Sequence, residues 1–161
     1  MLQIVESYNQ LNMFDLLLVY EESNLEHGAA CAPDASKWEQ LRIGEAHMRD
    51  YVVNFLKTPG TKIAVWAVEN GYVSALRLEC YDDGFLITGL ETLPGARGSG
   101  YATSLLKEVA DCVPEKLYAH VKKENHPSIA AHKRAGFQVI LDHATLLDGT
   151  VSSQYFTLEI H

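Results

Sequence analysis

The sequence predicts an α/β (α+β) fold: a mixed central sheet, antiparallel through its first half with one parallel step at its centre, flanked by helices. Two observations carry this. Strand-like segments 62–69, 72–80 and 85–93 are separated only by Asn70-Gly71 and Asp82-Asp83-Gly84, both hairpin-type turns. A strongly amphipathic run then separates segment 85–93 from another strand-like segment, 116–122, and strand–helix–strand implies a parallel crossover.

The elements follow in order. Residues 2–5 read as a short strand. Residues 8–23 read as one helix, with Leu11, Phe14, Leu17 and Leu18 at helical spacing. Small residues and Pro33 predict a loop over 27–35. Ser36 with Glu39 forms a capping-box pattern that opens a second helix. That helix carries Trp38, Leu41, Met48, Val52 and Phe55 near one face and stops at Thr58-Pro59-Gly60. After the meander, Pro94 and three glycines make a loop. Ala102, Leu105, Leu106, Val109, Ala110 and Val113 then line one helical stripe, ended by Pro114. A short helix at about 126–135 precedes Gly136, placed as a C-terminal cap. Two last strands, about 137–146 and 151–160, are joined by Leu147-Asp148-Gly149-Thr150.

With 161 residues and 47% hydrophobic content, a single domain with a real core is expected, and disorder is disfavoured. The net charge of -8 repels phosphate backbones, so nucleic acid is not expected as a partner; a cationic substrate fits better. Cys31, Cys80 and Cys112 lie far apart with no C-x-x-C pair, which argues against a disulfide framework or a zinc ribbon. His27, His47, His126, His143 and His161 show no metal-ligand spacing, and no metal is expected. The first residues have no basic leader, and Leu16–Tyr20 is the longest dense apolar stretch, too short for a membrane span. A cytoplasmic location without membrane partners is the expectation.

The chemistry concentrates in Gly95-Ala96-Arg97-Gly98-Ser99-Gly100-Tyr101-Ala102, between a strand and a helix. Unpaired N–H groups at a helix start carry partial positive charge, and glycines let a phosphate approach them. Gly95 and Gly100 have the glycine spacing of a Walker A loop, but Tyr101-Ala102 stands where Lys and Ser/Thr are needed. A dinucleotide fingerprint fails at Thr103.

Arg97-Gly98-Ser99-Gly100-Tyr101-Ala102 instead matches (Arg/Gln)-x-x-Gly-x-(Gly/Ala), and Leu93-Pro94 leads into it. This resembles the acyl-CoA pyrophosphate loop of the GNAT (GCN5-related N-acetyltransferase) superfamily. Asn125-His126-Pro127-Ser128 and His132-Lys133-Arg134-Ala135-Gly136-Phe137 resemble that family's Asn-x-x-Ala-x-x-x-Tyr-x-x-x-Gly-Phe, and the order of elements agrees over nearly the whole chain. The resemblance implies that strands 85–93 and 116–122 splay apart around a pantetheine arm. Backbone groups of Glu91, Thr92 and Leu93 would bind that arm, and the amides of Gly98, Ser99, Gly100 and Tyr101 the pyrophosphate. Arg97, Ala102, Asn125 and Ser128 complete the expected coenzyme contacts; Lys133 and Arg134 are candidates for the phosphates, with at least one of them expected to be a solvated surface residue. The cosubstrate would be acetyl-CoA and the acceptor a small-molecule or peptide primary amine, attacked directly in a ternary complex. A homodimer is common in the family.

Amide formation needs a base for the ammonium, stabilisation of charge on the carbonyl oxygen, and relief for the departing thiolate. His120 is the favoured base: the family's ribosomal-protein alanine acetyltransferases, which this strand resembles, place a catalytic glutamate there. Glu91 is the second candidate. His132 stands where the family usually has a Tyr acid, so it is a candidate proton donor or sulfur partner. Tyr155 is expected to pack in the core, with the cleft as the alternative, and Glu21, Glu22 and Glu26 to form a solvated helix end, with attraction of an ammonium group as the alternative. Two alternatives stay open: a non-catalytic acyl-CoA sensor of the same fold, and a nucleotide binder using the glycine loop.

Overall fold

The computed structural model describes all 161 residues. Its strands are β1 (Leu2–Val5), β2 (Lys62–Val68), β3 (Gly71–Tyr81), β4 (Gly84–Thr92), β5 (Lys116–Lys122), β6 (Gln138–Leu141), β7 (Ala144–Thr145), β8 (Val151–Ser152) and β9 (Tyr155–Ile160). Its helices are α1 (Met13–Val19), α2 (Glu21–Cys31), α3 (Lys37–Lys57), α4 (Tyr101–Cys112) and α5 (His126–Arg134). Seven strands form one mixed sheet in the order β1-β2-β3-β4-β5-β9-β6, and β7 and β8 form a separate small hairpin. Successive strands from β1 to β4 pair antiparallel, and β4–β5 is the parallel step. The predicted meander and crossover are therefore present.

Each face of the sheet buries its own core. On one face, Leu76, Leu78, Phe85 and Ile87 pack under Leu105, Leu106 and Val109 of α4. On the other, Ile63, Val65 and Ala75 pack under Leu16 and Leu17 of α1 and Met48, Val52 and Phe55 of α3. The capping box of Ser36 and Glu39 opens α3 as expected.

Several readings of the sequence are corrected. The single helix expected over 8–23 is a 3-10 turn at Tyr8–Gln10 and then α1 and α2. Asn12 starts α1 by accepting a hydrogen bond from the Asp15 amide, and the chain bends at buried Tyr20. Only part of the expected stripe is core: Leu17 is buried, whereas Phe14 is 67% and Leu18 40% exposed. On α3 likewise, Trp38 lies out in solvent under the guanidinium of Arg42. The loop expected over 27–35 begins late, because α2 runs on to Cys31. Its small residues serve a close helix contact instead: a Cβ on Gly28 would lie 1.7 Å from the Gln40 carbonyl oxygen, and one on Gly44 1.8 Å from that of Asn24. The two long strands expected at the end are broken into β6 to β9, with a register shift between Val139 and Leu141.

Candidate active site

The site begins with a parting of strands. β4 and β5 pair only from Gly84↔Lys116 to Ile87↔Ala119. Yet β4 continues to Thr92 against β3, and β5 continues to Lys122 against β9. Both strands persist on their outer edges while their shared edge opens.

A bulge in β4 accompanies the opening. Ala75 pairs with Glu91 and Arg77 with Thr88, so β4 spends one residue more than β3 between them. Gly89 takes the positive φ of 58° there. A glycine inside a strand pattern is a bulge signal, and segment 85–93 showed one that the sequence reading passed over.

A cavity of about 580 Å³ occupies the gap, lined by Gly89, His120, Asn125, Ser128, His132 and Tyr155 among others. A second, of about 760 Å³, is lined by Glu91, Thr92, Arg97, Gly98, Gly100 and Arg134 among others. Asn125 and Ser128 line both, which joins them into one cleft. The cleft passes from the α4 face of the sheet to the opposite face. Along β5, Ala119 and Val121 belong to the α4 core, so His120 projects to the other side.

The glycine loop is built for an anion. Gly98 and Gly100 have φ of 79° and 82°, and a Cβ at either would meet nothing within 4 Å, so the space over the loop is open. The N–H groups of Gly98, Ser99 and Gly100 have no partner in the protein. Gly100 caps α4 without a side-chain hydrogen bond, and the first turn of α4 has no acidic residue. The positive end of the helix dipole is therefore uncompensated beside the second cavity. Tyr101 and Ala102 line that cavity too, and Ser99 is exposed between the glycines. Arg97 is turned back, donating to Thr92 O at 3.3 Å and pairing with Glu22 at 2.7 Å. Lys133 and Arg134 are exposed, and only Arg134 lines the cavity. Glu21 and Glu26 are exposed on α2.

The backbone of β4 is only partly free. Leu93 donates its N–H to Val73 O and accepts from Ala96 N–H, both at 2.8 Å, so its groups are already used. The Glu91 carbonyl accepts from the Ser74 hydroxyl at 2.8 Å. Alternation along the strand turns the backbone groups of Thr92 toward the opened edge, where its carbonyl already accepts from Arg97 Nε.

Three titratable groups face the cleft. His120 is half-buried, stands edge-on to Tyr81 with ring centroids 5.3 Å apart, and has a buried Nε2 without a partner. Burial holds its pKa below the ordinary histidine value. His132 is 2% exposed. Its Nδ1 lies 2.8 Å from Ser128 O; a carbonyl only accepts, so Nδ1 carries the proton. Its Nε2 is then a bare lone pair, buried without a partner. Burial lowers this pKa also, against a smaller opposing effect of the Ser128 bond. The expected proton donor thus presents no proton from Nε2. Glu91 accepts a short hydrogen bond from Ser23, and burial raises its carboxyl above the usual range despite that bond and the cations Arg77 and Arg97.

Asn125 caps α5, its side-chain oxygen accepting from Ser128 N–H at 3.2 Å. Tyr20, Ser23 and Arg77 were not foreseen. Tyr20 is buried and donates to the Gly89 carbonyl, which pins the bulge. The one signal for Arg77 was a charge between Leu76 and Leu78 in a strand that is apolar on either side of it up to Glu79. No group of three or more His, Cys, Asp or Glu side chains is placed to hold a metal ion, and no helix is long and apolar enough to cross a membrane.

Residues 19–137 match the model of the Acetyltransferase (GNAT) family. No curated protein matches the sequence. Among solved structures, PaiA N-acetyltransferase from Thermoplasma acidophilum, in complex with coenzyme A, is similar with TM-score 0.66 and 11% identity, over 99% of this chain and 98% of that one. An N-acetyltransferase from Staphylococcus aureus Mu50 gives 0.66 and 18%, over 98% and 100%. Campylobacter jejuni N-acetyltransferase PseH, in complex with acetyl coenzyme A, gives 0.65 and 12%, over 99% and 98%. At these identities the structures speak for the fold, and the family match covers most of the chain: the protein belongs to the GNAT acetyltransferase family.

Proposed function

We propose that the protein moves an acetyl group from acetyl-CoA to a primary amine, by direct attack of the amine in a ternary complex. The observation that carries this is the opening of the β4–β5 edge after Ile87 and Ala119, beside a helix start whose amides have no partner. The amides of Gly98, Ser99, Gly100 and Tyr101 hold the pyrophosphate, with Ala102 beside them and Arg134 as a phosphate contact. Thr92 binds the pantetheine arm through its backbone, and Asn125 and Ser128 close the cleft over it. Fixed backbone dipoles of this kind bind charge without reorganising.

On the opposite side of the sheet, His120 takes the proton from the attacking amine. Its unpartnered Nε2 and lowered pKa keep it a free base near neutral pH. Glu91 attracts the incoming ammonium. His132 supplies a lone pair rather than a proton, so the sulfur leaves without an acid from α5.

Calorimetric titration with acetyl-CoA, run beside Gly100→Glu, tests the coenzyme site. Binding by the wild type and none by the variant is expected, followed by turnover in an amine screen that His120→Ala abolishes. Absence of binding by the wild type sinks the proposal. Binding with no turnover of any amine supports a sensor instead.

A further inference from the structure

We infer that Arg77 is the anion anchor of the acceptor site, and that the acceptor is an amine that also bears a carboxylate; this rests on the acyl-transfer reading above. Arg77 sits in mid-β3 between Leu76 and Leu78, which are fully buried on the α4 side. Its own side chain projects to the opposite face, where His120 also projects. The guanidinium carbon lies 5.0 Å from the ring centroid of Tyr51 and 5.9 Å from that of Tyr20. It is pressed on the bulge: a Cβ on Gly89 would lie 2.6 Å from an Arg77 terminal nitrogen. Gly89 itself lines the cleft.

The charge is unpaired. No carboxylate forms an ion pair with Arg77, and no protein group accepts a hydrogen bond from it. Its Nε is buried with no partner at all. A half-buried cation whose buried Nε is unused is costly to keep, and aromatic faces return only part of that cost. A planar fork of N–H groups matches a carboxylate, which it binds through paired hydrogen bonds. An opposite charge stands close by. Glu91 lies two residues beyond Gly89 and pairs with Ala75, whose side chain shares the face of Arg77. The bulge thus carries a cation and an anion on the acceptor side, an arrangement complementary to an amino acid's ammonium and carboxylate.

The test uses matched acceptors that differ in the carboxylate: α-amino acids against their amides, β-alanine against propylamine, and γ-aminobutyrate against butylamine. In steady-state acetylation, at least one carboxylate-bearing amine is expected to show a lower KM than its neutral partner. Arg77→Met should raise that KM by roughly tenfold or more, leaving kcat and the neutral partner's KM nearly unchanged. Arg77→Lys should fall between, since it keeps the charge and loses the fork. Equal KM within every pair overturns the assignment and leaves acetyl transfer standing. Without turnover, the same pairs are compared by saturation-transfer NMR on the wild-type protein, with CoA and alone. No preference there, or no binding of any pair, overturns the assignment. A wild type that fails to bind acetyl-CoA overturns the acyl-transfer reading separately. If Arg77→Met does not fold, the wild-type pairs and Arg77→Lys still decide.

Discussion

The Nδ1 of His132 lies 2.8 Å from the carbonyl oxygen of Ser128, which fixes the proton on that nitrogen and leaves Nε2 bare in a buried wall of the cleft. The ring is therefore a neutral acceptor. Nitrogen-15 shifts of His132 should report the Nδ1–H form from pH 8 to below the ordinary histidine pKa of about 6.5. An Nε2–H signal at neutral pH would contradict the assignment. His132→Phe should change kcat far less than His120→Ala, because no proton is lost from the reaction.

Stability should follow the same titration. In the unfolded chain His132 takes up a proton near pH 6.5. In the folded chain burial delays uptake to lower pH. Between those two values the unfolded state binds more protons, so stability falls as pH drops below about 6.5. His120 adds to the same trend. Thermal midpoints at a series of pH values should show a shallower acid decline in His132→Phe than in the wild type. An unchanged slope would mean that other groups cause it.

His120 and Glu91 can be told apart by kinetics. A base must be unprotonated, so activity falls on the acid side of its pKa. For His120 that limb lies below the ordinary histidine value, since burial lowers it. His120→Gln should reduce kcat by about a hundredfold to ten-thousandfold and abolish that limb, with acetyl-CoA affinity retained. If the limb survives in His120→Gln and vanishes in Glu91→Gln, the glutamate is the base.

The glycine loop makes a graded prediction. Both Gly98 and Gly100 have positive φ, and neither has a neighbour that a Cβ would strike. Gly100→Ala should therefore cost about 1 kcal/mol of stability through the backbone alone. It should weaken acetyl-CoA binding by filling the space over the loop. Gly100→Glu adds an anion at the helix start and should remove binding altogether. Equal affinity in all three proteins, measured by calorimetry, would place the phosphates elsewhere.

The parts read well from the sequence are those written in local patterns. The meander needed only alternation and Asn70-Gly71, and α4 only a stripe ending at Val113. The glycine loop was legible because backbone chemistry needs particular residues at fixed spacing. The failures are tertiary. Nothing local says that Tyr20 will bury its ring and send its hydroxyl to Gly89, yet that contact lies where the expected first helix breaks in two. A charge in a strand does not announce that it will find no ion-pair partner, as Arg77 does not. Gly28 has the composition of a loop residue, and only the second helix opposite shows why it is small.

That last case can be tested directly. A methyl group at Gly28 would sit 1.7 Å from the Gln40 carbonyl oxygen, and one at Gly44 1.8 Å from that of Asn24. The obstacles are backbone atoms, so no side chain can rotate away, and α2 and α3 must separate. Gly28→Ala and Gly44→Ala should each lose roughly 3 kcal/mol, the upper end of ordinary overpacking costs. For a chain of this size that is a fall of about 6–12 °C in Tm. Alanine is otherwise the better helix former, so propensity alone predicts the opposite sign. Gly95→Ala is the control, since a Cβ there meets nothing within 4 Å and should leave Tm almost unchanged. A neutral or stabilising result at Gly28 would show that the two helices do not approach so closely.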